Sequence, residues 1–270
     1  MSRPYLKLPS LNGVAAGQTA TLKLPMGFRY HLLNITYSGV TVAQMNEIRV
    51  LANGKVIQRF SGTERDVLNQ FDGRPAAAGI LVLPFDRYGM KNRDAEEETA
   101  LNTGVADARG IAINSLHIEI DIDAAAAAPV IKVKAEQSAA VAGGPGLIPF
   151  IYKMNRSVDV GEFSISDIPY GRLETQAMEK MMLTTTDITS IRLERDTYPV
   201  IERTIAENDL IHTEGVRVPQ AGYEFVDFTE RGYGVNLLGL VGLNDFALRM
   251  DVTAAGNIPM LVQYAGALNA

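Results

Sequence analysis

The chain has 270 residues, 47% of them apolar, with 25 basic and 31 acidic side chains and a formal charge of −6. That length allows one large or two medium domains with proper cores, and the acidic balance argues against nucleic-acid binding across the whole surface. There is no cysteine, so disulfides, zinc thiolate sites and cysteine nucleophiles are excluded by inventory.

The N-terminal stretch Met1-Ser2-Arg3-Pro4-Tyr5-Leu6-Lys7 has no apolar core of secretory-signal length. No run in the chain approaches the ~18 apolar residues of a membrane span. The expectation is a soluble product made in the cytoplasm of its host cell, with Arg3 and Lys7 as the only charges ahead of the first barrel strand. The first clear strand alternation is Ala20-Leu22-Leu24, with Thr21 and Lys23 on the other face, followed by Ile48 and Val50. Asn53-Gly54 reads as a tight hairpin turn. A short helix is expected over about Thr63 to Asn69, capped by Thr63 with Asp66 and turning Val67 and Leu68 inward. Lys91 to Thr99 is charged and lacks alternation, which marks a solvated loop.

Leu116, Ile118, Ile120 and Ile122 then alternate with His117, Glu119 and Asp121. Ala124 to Ala128, ended by Pro129, reads as a loop between paired strands, despite alanine's helix preference. The small residues Ala139 to Gly146 place a linker at 141–150, separating a first domain (1–140) from a second (151–270). In the second half a helix is expected over about Thr204 to Leu210. Phe246, Leu248, Met250 and Val252 form a buried face, and Thr253 to Ile258 form a turn.

The two halves repeat one another. Leu24-Pro25-Met26-Gly27 returns as Ile168-Pro169-Tyr170-Gly171, and Val56-Ile57-Gln58-Arg59 as Val200-Ile201-Glu202-Arg203, both at an offset of 144. Ile48-Arg49-Val50 recurs as Ile191-Arg192-Leu193, and Ala78-Gly79 with Phe85 as Ala221-Gly222 with Phe228, at 143. Asp121 and Pro129 recur as Asp251 and Pro259 at 130, so the charged loop near residue 91 accounts for 13 extra residues in the first copy. The order is kept throughout, which implies an internal duplication. The predicted fold is all-β: two tandem eight-stranded antiparallel jelly-roll barrels with one short helix in each.

Chemistry is sparse. His31, His117 and His212 are scattered, and no nucleophile elbow, phosphate loop or dinucleotide fingerprint exists; the expectation is no catalytic residue and no enzyme activity. Asp121 and Asp123 lie two apart and leave one strand face, so they could share a cation, and Asp251 is the repeat partner of Asp121. These three are the candidate metal ligands. The alternative function is a tandem β-sandwich that binds or cleaves carbohydrate, which the absence of tryptophan weakens.

Tyr37-Ser38-Gly39-Val40-Thr41, Ile48-Arg49-Val50, Asn53-Gly54, and Ile118 to Ala126 with Pro129 resemble the double jelly-roll major capsid protein of corticoviruses, tailless icosahedral bacteriophages with a membrane inside the shell. The second half agrees in strand layout and length. The resemblance implies a homotrimer whose six barrels make a nearly six-sided capsomer, with neighbouring capsomers, a spike or penton protein and the internal viral membrane as partners and no sequence-specific nucleic acid. It also implies calcium-dependent particles, a location in the virion, and an N-terminal arm whose Arg3 and Lys7 approach anionic lipid headgroups.

Overall fold

The computed structural model describes residues 3–91 and 99–269. It divides into two compact units, one running to Tyr152 and taking in the chain from Ala267 onward, the other Lys153–Gly266. Most of the expected charged loop, residues 92–98, lies outside the described residues.

The first unit contains β1 (Tyr5–Lys7), β2 (Thr19–Lys23), β3 (Phe28–Ser38), β4 (Met45–Ala52), β5 (Lys55–Phe60), α1 (Gly62–Phe71), β6 (Ile80–Pro84), β7 (Leu101–Asn102), β8 (Leu116–Ile122) and β9 (Val130–Ala139). One sheet has the order β1–β9–β3–β6, with the short β7 added to β3, and the other runs β5–β4–β8–β2. β10 (Ile148–Val158) runs from the end of the first unit into the second, which also contains β11 (Gly161–Ile165), β12 (Ala177–Leu183), β13 (Ile188–Arg195), β14 (Tyr198–Thr204), α2 (Ile205–Glu214), β15 (Glu224–Asp227), β16 (Leu238–Gly239), β17 (Phe246–Val252) and β18 (Gly256–Gly266). The second unit's sheets are β10–β18–β12–β15, with β16 on β12, and β11–β17–β13–β14. Leaving aside the two-residue β7 and β16, each unit has eight strands following the same path, so the duplication is one of topology. This is the jelly-roll connectivity, in which the chain crosses between sheets at almost every turn.

Alternation in the sequence becomes alternation in burial. Ala20, Leu22, Ile48, Val50, Leu116, Ile118 and Ile120 are all buried in the first unit, as are Phe246, Leu248, Met250 and Val252 in the second. The repeated motifs land on equivalent elements: Pro25 and Pro169 follow β2 and β11, and Ile48 and Ile191 lie in β4 and β13. Val56 and Val200 lie in β5 and β14, and Asp121 and Asp251 in β8 and β17. The paired glycines Gly27 and Gly171, and Gly79 and Gly222, all have positive φ, where a side chain would strain the turn.

Four local expectations need correction. The first helix is capped by Ser61, not Thr63: Ser61 Oγ accepts from Glu64 N (3.2 Å) while Glu64 Oε2 accepts from Ser61 N (2.7 Å). Starting there puts Gly62 against the preceding turn, where a Cβ would stand 2.4 Å from the Val42 carbonyl oxygen, so packing chooses between two caps of equal spacing. Leu68 and Phe71 face inward, whereas Val67 is only half-buried. Gly256 and Asn257 already belong to β18, so the turn after β17 is only Thr253–Ala255. Finally, the N-terminal segment is no loose arm: Tyr5–Lys7 pairs antiparallel with β9, and Arg3 Nη1 lies 3.2 Å from both Asp86 and Glu136. The glycine-rich stretch after β9 is likewise tied down, since the Asn102 side chain bonds Val141 N, Val141 O and Gly144 O.

Candidate functional site

The polar chemistry of each unit collects in two places: the outer face of a sheet, and a buried knot beside the last strand of the helix-bearing connection. On the outer face of β4 and β8, Arg49 bonds Glu47 (2.6 Å), Glu119 (2.9 Å) and both oxygens of Asp121 (2.7 and 3.0 Å). These carboxylates raise the Arg49 guanidinium. Burial pushes the Asp121 carboxyl up, but the hydrogen bonds from Arg49 and from Thr19 Oγ1 (2.6 Å) outweigh it and hold the group below the usual carboxylate range.

The expected metal ligands therefore sit in three different settings. Asp121 is already neutralised by Arg49. Asp123 lies just past the end of β8, where it accepts from Ala125 N (2.8 Å) and Asn46 Nδ2 (3.1 Å), bonds that hold its carboxyl low. Asp251, on β17, accepts from Ser190 Oγ (2.6 Å) and has no basic partner among the described residues. Nor do the described residues form any group of three or more histidine, aspartate or glutamate side chains able to hold a metal.

The second unit repeats the charged face with different pairings. Arg192 lies opposite Arg249 on neighbouring strands, and Glu194 bridges them at 2.8 and 2.9 Å. Its bond from Arg249 holds the Glu194 carboxyl low. Beside it Glu162, on β11, lies directly opposite Asp251. On the first unit's other sheet, Lys7 lies directly opposite Lys134. Sequence reading passed over both pairs, because a like-charge contact between strands depends on register, which no local pattern displays.

The buried knots were equally hidden. In the second unit Asp227 accepts from Arg217 Nε (2.5 Å) and from Thr229 N and Oγ1 (2.8 and 2.7 Å), with Lys180 as its cross-strand partner. Burial alone would raise this carboxyl, but Lys180 and Arg217 hold it below the usual range. Arg203 clasps Glu230 with two bonds (2.8 and 3.0 Å), and Asn208 Nδ2 ties α2 to the Phe225 carbonyl (2.7 Å). In the first unit Asn69 does the same from α1 to the Val82 carbonyl (2.7 Å). Apart from Arg203, which lines an open groove, these polar residues are buried. They fasten a helix to a sheet, which is structural work.

Comparison with known proteins agrees. Residues 5–138 match the family model described as viral coat protein P2 N-terminal domain, and residues 148–268 the one described as viral coat protein P2 C-terminal domain. The chain belongs to the viral coat protein P2 family. It is 25% identical over 270 residues to the major capsid protein P2 of Pseudoalteromonas phage PM2, covering 98% of this chain and 97% of that one. The crystal structure of P2 from bacteriophage PM2 superimposes with a TM-score of 0.89 at 22% identity over 98% of each chain. The STIV MCP aligns with a TM-score of 0.67 at 13% identity over 96% of each chain, and a chain of the PBCV-1 virus capsid with 0.62 at 8% identity over 97% and 92%. A coat protein of this family is a component of the virion and not an enzyme. No helix among the described residues is long and apolar enough to cross a membrane.

Proposed function

We propose that the chain is the major capsid protein of a membrane-containing icosahedral phage, assembling as a homotrimer whose six jelly rolls form a pseudo-hexameric capsomer that tiles the shell. The observation that carries this reading is the duplication itself: two sandwiches with the same strand path in one chain. A three-fold object built from such chains fills a six-sided tile, so a single gene product can pave a flat facet. Likeness to the PM2 protein over the full length supports it. The neighbours that follow are other capsomers, a spike or penton protein at the vertices, and the internal membrane or its proteins.

The test is particle mass in solution followed by imaging of assembled shells. A stable species near three times 29.3 kDa is the expected result, and a monomer at all concentrations would overturn the reading. Calcium belongs to the same proposal, since many copies of a chain of charge −6 repel one another unless counterions intervene. Thermal unfolding of trimers with calcium and with a chelator reads it. Equal stabilisation of the parent, Asp121→Asn and Asp251→Asn assigns the cation to other ligands.

A further inference from the structure

Two sets of like charges are forced together by strand register, one basic and one acidic. In the first unit Lys7 on β1 stands opposite Lys134 on β9, and Lys132 is the next residue on the same face of β9. All three are exposed. None has a carboxylate within ion-pair distance among the described residues; the Lys134 ammonium instead lies 5.4 Å from the centre of the Tyr5 ring. Like charges directly opposite on neighbouring strands destabilise a sheet. A lysine on an edge strand is an ordinary guard against strand pairing, which accounts for Lys7. It does not account for Lys134, which is flanked on both sides, by Lys7 of β1 and Asn34 of β3; Lys132 lies past the end of β1 and continues the same exposed row.

The acidic set is in the second unit. Glu162 and Asp251 stand opposite one another on β11 and β17. Glu162 is 67% exposed, and its ion-pair partner is the Arg249 guanidinium, 3.5 Å away. Together with Glu202 and Glu207 they line an open groove of about 410 Å³. The groove's arginines are engaged by carboxylates of the same unit, Arg192 and Arg249 by Glu194 and Arg203 by Glu230, with Glu202 a further, longer partner of Arg192 at 3.9 Å. The charge of the whole chain is divided in the same sense: Lys153–Gly266 holds 17 acidic and 10 basic side chains, net −7, whereas the remaining residues sum to +1.

We propose that these are the two halves of one contact between copies of this chain, with the Lys132–Lys134 row of one copy seated on the Glu162–Asp251 groove of the next. The inference rests on the capsomer reading and names the surfaces that hold the capsomer together. The lysines have no carboxylate partner and Asp251 no basic one among the described residues, so each set gains from the other's charge, and the Lys7–Lys134 pair on adjacent strands has about the spacing of the Glu162–Asp251 pair on adjacent strands. The contact joins unlike patches, so it is heterologous, which is the kind that closes into a ring when the rotation permits. Charge complementarity of this sort sets partner choice and association rate more than raw affinity.

The test is charge reversal, read by particle mass across a dilution series and at two salt concentrations. All four positions to be changed are exposed, and circular dichroism confirms that each variant is folded. The double variant Lys132→Glu/Lys134→Glu and the double variant Glu162→Lys/Asp251→Lys are each expected to dissociate at roughly tenfold or more higher protein concentration than the parent. The quadruple variant is expected to recover most of that loss, and the parent contact should weaken as salt rises. Double variants that assemble like the parent overturn this inference and leave the capsomer reading standing, whereas a parent that stays monomeric overturns both. Anionic vesicles that bind the parent but not Lys132→Glu/Lys134→Glu, with assembly unchanged, would give the lysines to a lipid surface and overturn the contact.

Discussion

Four non-glycine residues among those described have φ in the left-handed region: Asn53 at 51°, Ala128 at 56°, Asp196 at 49° and Thr197 at 66°. Asparagine and aspartate tolerate that conformation, but β-branched threonine does not. Replacing Thr197 with glycine is therefore expected to stabilise the protein by about 0.5–1 kcal/mol, read as a higher denaturant midpoint. Asn53 and Asp196 also do matching work in the two hairpins: Asn53 Oδ1 accepts from Asn114 N and Ser115 N, and Asp196 Oδ1 from Asn244 N and Asp245 N. Only the first hairpin was legible in the sequence, because Asn-Gly is a turn signal and Asp-Thr is not. The buried ions are the other residue-scale feature that sequence concealed. Asp227→Ala leaves Arg217 and Lys180 in the interior without their shared carboxylate, and a loss of about 3–5 kcal/mol is expected from equilibrium unfolding. Lys180 sits in the run Met178 to Leu183, which is buried throughout, and nothing local distinguishes a buried lysine there from an exposed one.

At the scale of elements, α2 and β15, to which Asn208 ties it, respond to pH in opposite directions. Burial pushes the His212 imidazole down, outweighing Asp227 and Glu230, which act the other way. The unfolded chain then binds a proton more readily than the folded one, so His212 removes stability as pH falls below about 6.5. Glu224, at the start of β15, is pushed up to about 7 by burial and, secondarily, by Asp209. Its folded form keeps a proton that the unfolded form has released, so it removes stability as pH rises from the ordinary carboxylate value through about 7. Glu224→Gln is accordingly expected to raise stability at pH 8 by on the order of 1 kcal/mol, after discounting for partial exposure, and to change little at pH 4. Thermal unfolding at the two pH values checks it. For α1, Ser61→Ala removes the cap and should cost about 1 kcal/mol, while Thr63→Ala, on the exposed first turn, should cost much less. Strands were legible wherever one face is wet, as in β2, β8 and β17. Element ends were not: the choice of Ser61 over Thr63 turns on the Val42 carbonyl, twenty residues away in the chain.

For the whole molecule, the offsets of 144, 143 and 130 carried over into strand order with little loss, since both copies must satisfy the same sheet path. The candidate site did not carry over in the same way. Asp121 and Asp251 hold the same place in the two units, but Arg49 reaches the first, whereas its counterpart Arg192 turns to Glu194. Repeat position thus predicted the backbone and not the charge state around it. The route of the chain has a further consequence. It leaves the first unit after Tyr152 and returns at Ala267, with Leu268 only 2% exposed. While the first unit stays folded, the second is held at both ends and can unravel only as a closed loop. Its unfolded ensemble is thereby smaller, with a closure entropy that grows only logarithmically with loop length. Removing the residues from Ala267 onward frees one end, and calorimetry should then show the second unit melting earlier. In this protein a guest domain borrows stability from its host through connectivity.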